Sequence, residues 1–161
     1  MGRNQGGGGR AAQAELGVGQ IKAQNVGGAP GKPQVGTANQ WNAATPEDRQ
    51  YAVQVDQFAG AQIDAAHTAQ GKMEALLSKT YNNRPNGPIP ENAINTASVV
   101  QMEMAQQIRT VEQARDREVE HVLTQGTAGD YAKIHDEHMK QVGLLMGYID
   151  TTDNRLRAWG G

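Results

Sequence analysis

The stretch from Asp130 to Gly161 constrains the chain most. Its larger apolar residues are Tyr131, Ile134, Val142, Leu145, Ile149, Leu156 and Trp159, spaced by threes and fours or their sums, with His138 and Thr152 filling the two gaps. That spacing predicts one helix with one buried face. Gly126-Thr127-Ala128-Gly129-Asp130 opens it, with Gly129 breaking what precedes and Thr127 or Asp130 available to cap the first turn, and Gly160-Gly161 closes it. A helix of roughly thirty residues is about 45 Å long at 1.5 Å per residue, more than a domain of this size usually needs. It calls for a long partner, from its own chain or from a copy.

Bulky apolar material is scarce. Aromatics make up 4% of the 161 residues, with one Phe against 20 Gly, and mean hydropathy is -0.66. This suits helices packed in a bundle or an assembly better than a thick globular core. Cysteine is absent, which removes disulfides, thiolate metal sites and a Cys nucleophile. A net charge of -2 with mixed signs argues against a domain that binds duplex DNA through a basic face. No apolar run is long enough for a membrane span and no apolar segment follows Met1, so neither a span nor a Sec signal is expected.

Residues 1–44 are rich in Gly, Ala, Gln and Asn and mildly basic, and are expected to form a flexible tail, since little in them repays the entropy of ordering. Gly6 to Arg10 follows no strand and lacks the Gly-Lys-Ser/Thr of a phosphate loop. At Thr45-Pro46-Glu47-Asp48 the composition changes to a helix start: Thr at N-cap, Pro at the first helical position and acids facing the dipole. An amphipathic helix is expected over 45–82, with Gly60 and Gly71 as places to bend. Residues 83–90, with three prolines, form a linker. A second long helix follows to Gln125 with a stripe of Ile94, Ala97, Gln101, Met104, Ile108, Val111, Arg115, Val119, Val122 and Leu123. Gln101 and Arg115 interrupt that stripe, which suggests a wet face or one shared with another chain. The run Glu112–Glu120 reads as solvated. The fold class expected is therefore all-α: a Gly-rich tail, then three helices, the last two (91–161) a long antiparallel hairpin that carries the assembly region.

The sharpest chemical pattern is Glu118-x-x-His121 with His135, Asp136, Glu137 and His138 across the hairpin turn. Glu and His three apart share a helix face, so Glu118, His121, His135 and His138 are the candidate metal ligands, with Asp64, His67 and Glu74 as remote supplements. A carboxylate-bridged di-metal bundle needs more such motifs than this chain has. Charged residues near a turn are the simpler reading, and no cofactor is expected. Ser78 and Ser98 lack any context that would activate a nucleophile, so no enzyme is expected. Gly143 and Gly147 put a small-residue pair inside the last helix, where close approach of another helix is the usual reason, and Gly147→Leu is expected to damage that packing.

The segment Lys72-Met73-Glu74-Ala75-Leu76-Leu77-Ser78-Lys79 and the stretch Tyr131 to Leu156, behind a small-residue N-terminus and without cysteine, resemble the inner-rod proteins of bacterial type III secretion systems. The pattern spans roughly the last ninety residues. The chain departs from the family's short apolar ending, closing instead on Leu156-Arg157-Ala158-Trp159-Gly160-Gly161. The resemblance implies a structural subunit, exported and then polymerised through its C-terminal helices with copies of itself and other subunits of a large secretion machine in the cell envelope. The assembly interface expected from it is Val142, Gly143, Leu145, Gly147, Ile149, Leu156 and Trp159. The alternatives are a bacteriophage virion or DNA-ejection protein, and a helical metal-binding bundle.

Overall fold

The computed structural model describes residues 38–78 and 89–160. The tail over 1–37, most of the 83–90 linker and Gly161 lie outside the described residues, as does Tyr81. The described residues form helices only: α1 (Ala38–Ala43), α2 (Pro46–Ser78), α3 (Glu91–Gln125) and α4 (Tyr131–Ala158). The protein is all-α. Among these helices none is long and apolar enough to cross a membrane.

Helix α2 starts where its sequence predicts, with the Asp48 amide donating to Thr45 Oγ1 at 3.1 Å and Glu47 and Asp48 in the first turn. It runs unbroken through Gly60 and Gly71. Its buried face is mostly small (Ala52, Ala59, Ala66 and Ala69, with Val55, Ile63, Met73 and Leu76), which lets the neighbouring helices come close.

Three apolar clusters show how α3 and α4 lie on α2. Ala52 and Val55 meet Val119, Val122, Leu123 and Tyr131 at one end. Ile63 and Ala66 meet Met104, Ile108, Val142 and Leu145 in the middle. Met73 and Leu76 meet Ile89, Ala97 and Leu156 at the other end. Early α2 therefore faces late α3, and late α3 faces early α4: an up-down-up bundle whose last two helices are the expected antiparallel hairpin.

The hairpin turns on Gly126 (φ 65°) and Gly129 (φ 66°), in the left-handed region that favours glycine. A Cβ on Gly126 would also meet Asp48 Oδ2 at 3.2 Å, so this turn sits tightly on the start of α2. The expected side-chain cap of α4 is absent: Asp130 makes no capping hydrogen bond.

Helix α1 corrects the end of the expected tail. Trp41 packs on the cluster around Val55, and Arg49 donates to the carbonyls of Trp41 and Asn42, both at 2.8 Å. Its guanidinium also lies over the Trp41 ring at 5.7 Å. One aromatic anchor and one arginine thus hold a helix that six residues could not sustain alone.

Candidate functional site: a buried polar belt

Between the end cluster at Tyr131 and the middle cluster at Val142 all three long helices turn ionisable groups inward. Helix α3 supplies Glu118, with no exposed surface, from a run that reads as solvated when taken alone. Its neighbours explain the difference: Val111, Ala114, Val119 and Val122 are all buried, so Glu118 lies on the inner face, one helical step from Ala114.

Three side chains converge on it, and a fourth, Tyr51, backs one of them. His135 Nδ1 lies 2.8 Å from Oε2 and His138 Nδ1 2.8 Å from Oε1. The Tyr131 hydroxyl donates to Oε2 at 2.5 Å. Because that hydrogen is committed, the Tyr51 hydroxyl, 2.5 Å from Tyr131, must donate to Tyr131 in turn. The rings reinforce the geometry, Tyr131 lying stacked on His135 and edge-on to Tyr51.

Burial by itself would push the Glu118 carboxyl up. Hydrogen bonds from His135 and His138, and then their charge, outweigh burial and hold it at about 2. Tyr131 moves the other way: burial, followed by the adjacent Glu118 charge, drives its phenol well above the ordinary range, so it stays a donor. His138 is fully buried, and its Nε2 has no partner among the described residues.

The second half of the belt is Asp56 of α2, 1% exposed, with Arg115 Nε at 3.7 Å. Neither carboxylate oxygen of Asp56 has a hydrogen-bond partner among the described residues, and the Arg115 Nη2 turns instead to Asp116 at 2.9 Å. Burial dominates here. It raises the Asp56 carboxyl to about 6 despite the opposing pull of Arg115.

The expected metal ligands are redistributed by this arrangement. Glu118, His135 and His138 do come together, but each histidine spends its Nδ1 on the carboxylate. His121 turns away, with Nε2 donating to the Ala128 carbonyl at 2.7 Å and so tying down the hairpin turn. Among the described residues no group of three His, Asp or Glu side chains is set to hold an ion. Sequence reasoning missed Tyr51, Tyr131 and Asp56 as members. Asp56 did leave a signal, a charge three residues before Ala59 on an otherwise apolar stripe.

The interruptions in the stripes answer one another inside the chain. Gln101 Nε2 donates to Thr152 Oγ1 at 3.1 Å, Arg115 pairs with Asp56, and His138 with Glu118. The expectation that these gaps mark a wet or shared face is therefore corrected. The expected interface residues mostly have neighbours within the chain as well. Val142, Leu145 and Leu156 are buried within this chain, Ile149 and Trp159 pack at the edges of its clusters, and the stripe is used up in the bundle. Only Gly143 and Gly147 of that set face outward, where an added Cβ on either meets nothing within 4 Å. Gly147→Leu therefore does not disturb the packing of the single chain.

Comparison with protein-family models, with curated proteins and with solved structures returned no match.

Proposed function

We propose that this chain is a structural subunit that assembles with copies of itself, as a preformed bundle rather than by folding on a neighbour. What carries this reading is the outward apolar surface that remains after the stripe is buried: Val99 and Met102 on α3, 50% and 69% exposed, and Leu144 and Met146 on α4, 48% and 45% exposed. On α4, Leu144 and Met146 flank the two open glycines, so apolar side chains border a strip that carries none, an arrangement associated with contact sites. A non-catalytic role is supported by the placement of the belt, whose carboxylates are sealed in the core, out of reach of a substrate. A groove lined by Glu103, Gln107, Thr110 and Tyr148 is open and polar and includes no residue of the belt. Placement in a type III secretion inner rod, and with it export to the cell envelope, rests on the resemblance of Lys72–Lys79 and Tyr131–Leu156 alone.

The test is sedimentation velocity with far-UV circular dichroism on the full chain over a wide concentration range. Mass should rise with concentration while helicity stays constant, because the bundle is already formed. A helical monomer at every concentration overturns the assembly reading. A helix content that climbs with mass overturns the preformed bundle.

A further inference from the structure

The outward face of α4 has an internal symmetry that names its partner. At 100° per residue, Gly143 and Gly147 lie side by side at the middle of the face, Leu144 and Met146 form its two flanks, and Lys140 and Asp150 stand beyond the glycines at either end. All six are exposed. They are placed at equal distances on either side of Leu145, which points the opposite way into the core. Neither Lys140 nor Asp150 has an ion-pair partner among the described residues.

We propose that this face is a two-fold contact between two copies of the chain, with the α4 helices antiparallel and crossing at Leu145; it deepens the assembly reading and rests on it. In that arrangement Gly143 of one copy comes level with Gly147 of the other, which permits an interhelix distance near the lower end of the usual range, about 8 Å. Leu144 comes level with Met146, and covering these half-exposed side chains supplies the apolar burial. Lys140 comes level with Asp150, and the symmetry makes that pairing twice. Charge selects the direction. A parallel pairing through the same glycines would set Lys140 against Lys140 and Asp150 against Asp150, and like charges at that level repel. Asp136 comes level with uncharged Asn154. Lys133 and Arg157 come level only about 18 Å from the crossing, where inclined helices have separated.

The chain has no cysteine, and a Cβ at 143 or 147 meets nothing within 4 Å, so single Gly143→Cys and Gly147→Cys variants keep the bundle and report the contact. Oxidising an equal mixture of the two full-length variants should give the mixed 143–147 disulfide several-fold faster than either variant alone cross-links, since like positions are offset by about 6 Å along the axis before the gap between the helices is added, whereas 143 and 147 come level. Lys140→Glu and Asp150→Lys should each weaken self-association measured by sedimentation about tenfold, and the double exchange should restore it to within about threefold. Circular dichroism checks that each variant keeps its helicity. If the parent chain self-associates but the charge variants do not weaken it, or cross-links form only between like positions, the α4 contact is overturned and the assembly reading stands. If the parent chain is a monomer throughout, both fall.

Discussion

Asp56→Asn should make the protein more stable at neutral pH, against the usual direction of a core substitution. Asp56 is 1% exposed and neither of its oxygens is hydrogen-bonded. Its carboxyl is raised from 3.8 to about 6, chiefly by burial, with the attraction of Arg115 already included. At pH 7 the folded chain holds this carboxylate ionised at a penalty that the unfolded chain does not bear. A shift of that size is roughly 3 kcal/mol at about 1.4 kcal/mol per pH unit. Since the folded pKa lies above the unfolded one, the penalty sets in as pH rises past about 4, grows up to about 6 and stays constant above that. Asn has the same shape and no charge, so it removes the penalty, and Arg115 keeps Asp116 at 2.9 Å. Urea unfolding followed by far-UV circular dichroism should show the variant's midpoint about 2 M higher at pH 7, for a slope of about 1.5 kcal/mol/M. The advantage should shrink below about 1 kcal/mol at pH 4. A variant that is destabilised at pH 7, or whose advantage is equal at both pH values, refutes the reasoning.

Glu118 has the opposite sign: held at about 2 instead of 4.5, it contributes stability above pH 4.5 that is lost as pH falls toward 2. Glu118→Gln should cost roughly 3 kcal/mol at pH 7, because it takes from the fully buried His138 and the partly exposed His135 the carboxylate they share; a loss under about 1 kcal/mol in urea unfolding would mean the network is decorative. Leu145→Ala should destabilise by about 2–5 kcal/mol, since Leu145 has no exposed surface, and thermal unfolding measures it. Gly147→Ala should raise thermal stability by up to about 1 kcal/mol, because the site is open and helical; a lowered midpoint in monomeric protein would show an intrachain contact at that glycine.

Much of the bundle could be read before any coordinates. Thr45-Pro46-Glu47-Asp48 started α2 because capping and dipole effects act within one turn. Gly126 and Gly129 placed the hairpin because positive φ is a local requirement. The stripes of α3 and α4 turn inward over most of their length because helical periodicity is set by the chain's own geometry. Helix α1 was not legible, since a short polar segment owes its order to Arg49 and the pocket for Trp41.

The belt and the outward face of α4 were decided only by tertiary structure. A charge on a helix surface carries no local sign of whether its neighbour is water or another helix, so Glu118 passed for a solvated residue and Asp56 went unnoticed until α2, α3 and α4 enclosed them. The same limit bears on the apolar stripe of α4. Periodicity showed that Val142, Leu145 and Leu156 need cover, yet whether that cover comes from α2 and α3 or from another copy depends on the register of three helices, which the pairings of Gln101 with Thr152 and Glu118 with His138 help to set. Once the stripe was buried in its own chain, the glycines on the far side became the part of α4 left facing out.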